Sequence, residues 1–280
     1  LEILGEACEA FGIRACLCYG ATERNRGVSE ARQGLEACSS FLRNTTSPLL
    51  RGAVGLHASF TVSDTTIREA GELCQKRGAI MHVHVAEDRA DVRDAVARGY
   101  RGPLERLIEL QALPPGSILA HGLYLNEEQV RRVAENNCWI VQNPRSNHGN
   151  QVGYPQALAA SSLVALGTDG YPADMPAEAD FLVQQATEHG EDKAAVQART
   201  TAGNSLVEAM FGEPVGLPTA DRKTLADLQI RDPSGVRHVF VHGRHVVKNG
   251  ALAGQNLAEI EARAAEQATR LWQRMANLAN

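Results

Sequence analysis

No apolar run in this chain approaches the roughly 18 residues that a membrane-spanning helix requires, which excludes a helical membrane protein over the 280 residues. Basic charge is not in excess either. Twenty-eight Lys and Arg stand against 33 Asp and Glu, a formal charge of -5. No basic cluster is interleaved with aromatics, so the electrostatic footprint of a nucleic-acid binder is missing. Cysteine occurs at 8, 16, 18, 38, 74 and 138 but never as C-x-x-C. Cys16 and Cys18 share one face of an expected strand, so a C-x-C metal pair is conceivable. Small buried thiols in a reducing compartment are the preferred reading. No G-x-G-x-x-G follows an apolar strand, which argues against a dinucleotide site. Repeats and low-complexity segments are absent. The opening stretch LEILGEACEAFGIRA reads as an amphipathic helix running into a strand, not as a secretory leader. The expected location is cytoplasmic.

What is present is alternation. Strands are expected at Ile13–Tyr19, Leu50–Leu56, Ala79–Ala86, Ser117–Ala120, Trp139–Gln142 and Leu163–Gly167. Helices are expected between them: Ser29–Leu42 capped by Ser29, Asp64–Arg77 capped by Asp64 and stopped by Gly78, a short one over 88–98, Pro103–Leu113 and Asn126–Asn136. A short helix at Pro155–Ala160 precedes the last strand, and helices fill most of 177–211. Strand–helix alternation implies parallel strands with helical crossovers, in an open doubly wound sheet or a TIM barrel. After Gly212, Pro214, Gly216 and Pro218 break the pattern. Short strands at Ala226–Ile230, Val236–Val241 and His245–Val247 suggest part of a small β domain. Leu257–Leu278 is a long amphipathic helix, expected to pack on the barrel exterior or on a second subunit. The expected division is 1–212, 213–255 and 256–280.

Polar residues favour the barrel. In His82-Val83-His84-Val85-Ala86-Glu87 the alternation places both histidines on one face of a strand, with Glu87 just past its end. His57, His84, His121, Asn143 and Asp169 each fall at or near the C-terminal end of a different apolar strand. A lone histidine there is usually a hydrogen-bonded structural residue. Five strand ends in register are better explained by a site, because the C-terminal ends of TIM-barrel strands converge on one face. Imidazoles and carboxylates are metal ligands, and a carboxylate beside a metal can move protons to and from water.

These residues resemble the amidohydrolase superfamily, in the branch of cytosine and guanine deaminases and triazine hydrolases. The matching pieces are Gly55-Leu56-His57, His84-Val85-Ala86-Glu87, Leu119-Ala120-His121-Gly122, Asn143-Pro144-Arg145-Ser146-Asn147 and Leu166-Gly167-Thr168-Asp169-Gly170. In the tail they are Thr201-Ala202-Gly203-Asn204, Leu225-Ala226-Asp227-Leu228 and Val241-His242-Gly243-Arg244. Asn147-His148-Gly149-Asn150-Gln151-Val152-Gly153 looks most like the SsnA group of aminohydrolases.

The resemblance implies a (β/α)8 barrel of the metal-dependent hydrolase type, with about six of its eight strands in this chain, and a small C-terminal β-sandwich portion. The family's first strand carries an H-x-H metal pair. No segment before His57 offers one, so an N-terminal part is expected to be missing. By similarity His84 and Asp169 are metal ligands, and Glu87 shuttles protons between a metal-activated water and the leaving group. His121 hydrogen-bonds the attacking water or the developing oxyanion, and His57 contacts substrate. His82 is expected to support the ligands or to pack, and Asn143 and Ser146 to shape their loop through side-chain to backbone bonds. The expected metal is Zn2+, with Fe2+ fitting the same donors. The expected reaction is hydrolysis of a carbon–nitrogen bond, deaminating a heterocyclic amine. The alternatives are a triazine-type hydrolase that expels another leaving group and a non-catalytic relative. A homodimer is possible on this reading.

Overall fold

The structure is a computed structural model that describes residues 1–212, 227–233 and 235–278. Pro214, Gly216 and Pro218, together with Leu225 and Ala226, lie outside the described residues. The chain opens with α1 (Glu2–Phe11), β1 (Ala15–Leu17), β2 (Gly20–Ala21), α2 (Val28–Asn44), β3 (Leu50–Gly52), β4 (Val54–Ala58) and α3 (Asp64–Arg77). It continues through β5 (Met81–Val85), α4 (Arg89–Ala97), α5 (Pro103–Glu109), β6 (Ile118–His121), α6 (Glu127–Glu135), β7 (Trp139–Gln142), α7 (Pro144–Gly149) and β8 (Val164–Leu166). Helices α8 (Met175–Glu188), α9 (Lys193–Thr201) and α10 (Gly203–Phe211) follow. The last part holds β9 (Leu228–Asp232), β10 (Gly235–Val241), β11 (Arg244–Lys248), β12 (Ala251–Leu252) and α11 (Leu257–Leu278).

Six strands form one parallel sheet in the order β2-β4-β5-β6-β7-β8. Among the described residues β2 and β8 are its two edges. Two expected strands differ in the structure. Ile13–Tyr19 holds only β1, and the edge strand β2 lies just beyond it at Gly20–Ala21; Leu50–Leu56 divides into β3 and β4, and β1 pairs with β3 in a separate two-stranded sheet. The backbones cross closely at this break, where a Cβ on Gly55 would lie 2.3 Å from the Tyr19 carbonyl oxygen. Only glycine fits there.

Alternation sorts β5 cleanly. Met81, Val83 and Val85 are buried against the helical layer, whereas His82 and His84 are half-buried on the inner face. Helix α3 answers with Ile67, Ala70 and Cys74, an i, i+3, i+7 stripe in the same core. Each such aliphatic side chain contributes about 1.5–3 kcal/mol by leaving water. Helix ends differ in detail from the expectations. The α3 cap is Ser63, which accepts from the Thr66 amide, and Asp64 is the first helical residue. Gly78 does stop α3, in the left-handed conformation at φ 61. Helix α2 starts from Gly27 instead of Ser29, and the Glu30 carboxylate accepts the Asn25 and Arg26 amides ahead of it. Pro155–Ala160 contains only a 3-10 turn at Leu158–Ala160.

Arg106 on α5 is fully buried. It donates to the Ser59 carbonyl at 2.6 Å, the Val62 carbonyl at 2.9 Å and Asp64 Oδ1 at 2.9 Å. A guanidinium can be kept this deep because several donors are answered at once. It holds the turn that follows β4.

Strands β9 to β12 make an antiparallel sheet in the order β12-β11-β10-β9. It leans on the N-terminal segment, where Val241 and Leu49 are buried with Val239 and Val246, and Arg244 donates to the Glu9 carbonyl at 2.6 Å. For helix α11 the structure excludes one of the two expected packings: none of its residues is buried, so its apolar stripe does not pack on the barrel within this chain. No helix of the described residues is long and apolar enough to cross a membrane.

Candidate active site

The sheet brings three expected site residues together. His84 is on β5, Glu87 is two residues past the end of β5, and His121 is the last residue of the neighbouring β6. One donor atom from each can be chosen so that all lie within 4.8 Å of one another, the one such grouping of three among the described residues. Glu87 Oε2 is 3.5 Å from His121 Nε2 and 4.0 Å from His84 Nδ1. The His57 ring, on β4, lies 5.5 Å from that of His84, and its Nδ1 is 3.1 Å from Thr61 Oγ1. Glu87 does not cap α4; Asp88 does, accepting from the Ala90 amide at 2.6 Å.

Local backbone aims these groups. Ala86, His121 and Asp169 all have positive φ, at 52, 73 and 50. Each strand therefore ends in an abrupt turn that redirects the next residues.

The segment after β7 ties its neighbours together. It is a helix, α7, and not the loop expected from Asn143-Pro144-Arg145-Ser146-Asn147. Asn147 Oδ1 lies 2.9 Å from His121 Nδ1, and Asn143 Nδ2 lies 3.2 Å from the same nitrogen. An N–H on Nδ1 would donate to the Asn147 amide oxygen, whereas the Asn143 amide would need the Nδ1 lone pair, so the two contacts call for opposite tautomers. The other ring nitrogen, Nε2, is buried without a hydrogen-bond partner. Ser146 Oγ donates to Asp169 Oδ2 at 2.6 Å. The bonds of Asn143 and Ser146 thus reach side chains on β6 and after β8, beyond the local backbone. Arg145 clamps the segment carrying Asp169, donating to the Pro172 carbonyl at 2.8 Å and to the fully buried Glu178.

Burial and neighbouring groups shift the pKa values of His57, His82, His84 and Asp169. Burial, then His121, His82 and His57, lowers the His84 pKa to about 4. Burial, then His121, lowers that of His82, and burial, then Arg24, lowers that of His57. Burial works to raise the Asp169 carboxyl, but the Ser146 hydroxyl, His121 and the Gly170 amide outweigh it, and its pKa is lowered. The half-buried Cys16 and Cys18 thiols are pushed up by burial to about 11 and about 12, which suits packing and not ligation.

His84, the unpartnered Nε2 of His121 and the adjacent Glu87 carboxylate are donors suited to a divalent cation. The structure does not bring Asp169 into that grouping, and one of its oxygens is held by Ser146. A cleft of ≈ 440 Å³ is lined by Arg24, Phe60 and Thr61, among others, and by none of the expected site residues; its one link to them is the contact of Thr61 Oγ1 with His57.

The model of the amidohydrolase family matches residues 1–210. The chain belongs to the amidohydrolase family. This amidohydrolase is 31% identical over 176 residues to a 5'-deoxyadenosine deaminase of Methanoregula boonei, a match covering 61% of the chain and 40% of that relative. It is 27% identical over 291 residues to a 5-methylthioadenosine/S-adenosylhomocysteine deaminase of Syntrophobacter fumaroxidans, covering 92% of the chain and 66% of the relative. The chain thus spans less than two thirds of the length of both. Among solved structures, an adenosine deaminase from Xanthomonas campestris with bound zinc superposes with a TM-score of 0.77 at 20% identity, over 97% of this chain and 69% of that one. A zinc complex of atrazine chlorohydrolase from Arthrobacter aurescens superposes at 0.73 and 15% identity, over 93% and 67%. These likenesses share the fold, a parallel barrel sheet with a smaller antiparallel sheet.

Proposed function

We propose that this amidohydrolase removes an exocyclic amino group from a purine-like heterocycle by attack of water. The observation that carries the reading is the convergence of His84, Glu87 and His121 within 4.8 Å at adjoining strand ends. The deaminase names of the curated relatives support the substrate class. His84 and Asp169 would hold a divalent ion, zinc in the first instance, with the orphaned His121 Nε2 facing the same space. Such an ion, when bound, lowers the pKa of water and polarises the carbon under attack.

The protein's own groups supply the rest. Among the described residues Glu87 is the one carboxylate that reaches both His84 and His121. It takes a proton from the attacking water and delivers it to the ring nitrogen beside the reacting carbon; it then moves the proton left on the new hydroxyl to the amino group, so that the carbon–nitrogen bond breaks with release of ammonia and the hydroxyl becomes a carbonyl. His121, anchored through Nδ1 beside Asn147 and Asn143, has Nε2 3.5 Å from Glu87 and hydrogen-bonds the attacking water or the developing oxyanion. His57, whose ring lies 5.5 Å from that of His84, contacts the substrate. The test is ammonia release from aminopurines and their nucleosides by the zinc-supplemented chain, with Glu87→Gln as control. Release by the unaltered chain alone supports the reading; no release, or equal release by the variant, sinks it.

A further inference from the structure

Asp91 on α4 is a buried carboxylate that the chemistry above does not use, 1% exposed. It does not cap its own helix, because Asp88 fills that position. Its oxygens instead accept from two neighbouring strand-end turns. Oδ2 accepts the Ala86 amide at 2.8 Å, and Oδ1 accepts the Ser59 hydroxyl at 2.5 Å. The Phe60 amide also donates to it. Ala86 directly precedes Glu87, and Ser59 lies two residues after His57. On its other side the Ala86 carbonyl accepts from the Tyr124 amide at 3.0 Å, so both peptide groups of this left-handed residue are held.

We propose that Asp91 is a positioning residue that sets the direction of Glu87 by locking the Ala86 turn and joining it to the turn after His57. The inference rests on the role given to Glu87 above. Three donors meet two oxygens, a demand that an acceptor-only carboxylate satisfies and an amide does not. Burial raises the Asp91 pKa, and the hydrogen bonds from Ser59, Ala86 and Phe60 work against that rise. A group serving only helix stability would have its bonds within α4. These bonds run to residues on β4 and β5 turns, up to 32 positions away.

The test is nuclear magnetic resonance of the His84 and His121 rings in the isotopically labelled full chain, which reads the position of Glu87 without any turnover. Asp91→Asn keeps size but replaces an acceptor with a donor. It is expected to displace both ring signals, whereas in a Glu87→Gln background the same change leaves them in place. Ser59→Ala, a milder cut, is expected to move the same signals in the same direction by less. Ring signals unmoved by either variant overturn the proposal. So does an equal displacement in the Glu87→Gln background, since Asp91 would then act on the rings by another route. Failure of deamination leaves this reading untouched, so the two claims are separable.

Discussion

The Ser146 hydroxyl donates to the Asp169 carboxylate at 2.6 Å, joining the first turn of α7 to the turn beyond β8. Charge-assisted bonds of this kind are about twice as strong as neutral ones. Ser146→Ala should therefore raise the Asp169 pKa and free its side chain to rotate. Carboxyl carbon chemical shifts followed against pH measure the first effect. An unchanged Asp169 titration would show that His121 and the Gly170 amide suffice.

Glu87→Gln should leave the fold intact and reduce deamination by about 10² to 10⁴-fold, the usual share of positioned proton transfer. The replacement is nearly isosteric, so circular dichroism and melting should match the parent. Steady-state ammonia release measures the loss.

Zinc should bind reversibly at the His84 end of the site. Calorimetric titration of the metal-free chain is expected to show one site of modest affinity, stripped by dialysis against a weak chelator. Replacing His84 with alanine should remove that site. Zinc uptake unaffected by the change would place the metal elsewhere.

Stability of the metal-free chain should fall as the solution is acidified. His57, His82 and His84 all have lowered pKa values, His84 from 6.5 to about 4. The unfolded chain therefore takes up protons before the folded one. Stability is full above pH 6.5 and declines through the window down to about pH 4. Denaturant midpoints measured across that window should drop steadily, and His84→Gln should flatten the slope.

Arg106→Ala should destabilise the chain by about 3–5 kcal/mol, because it strips a buried guanidinium and leaves its partners unanswered. Those partners are the Ser59 and Val62 carbonyls and Asp64. Urea unfolding followed by tryptophan fluorescence reports the change.

Much of this architecture was legible because it is periodic. The two-residue alternation of Met81–Val85 placed His82 and His84 on the inner face, and strand ends in register nominated His57, His84, His121 and Asp169. The bond network was not legible. Asn147 meets His121 across 26 positions, and Asp91 meets Ser59 across 32, separations that leave no trace in local pattern. Nor was the burial of Arg106 legible. A charged residue on a helix ordinarily faces solvent, and only the turn after β4 shows why this one is buried. Caps shifted by one or two residues because Ser, Asp and Gly compete at neighbouring positions, as Ser63 and Asp64 do.

Ala86, His121 and Asp169 hold their turns in a backbone region that costs residues with a Cβ about 1–2 kcal/mol each. Glycine would relieve that cost, and would also delete the ring or the carboxylate at two of the three places. A laboratory lineage selected only for heat tolerance would be drawn to these very positions. Its gains would come from blunting the chemistry, with Ala86 the one turn that could be relaxed while every reactive side chain survives.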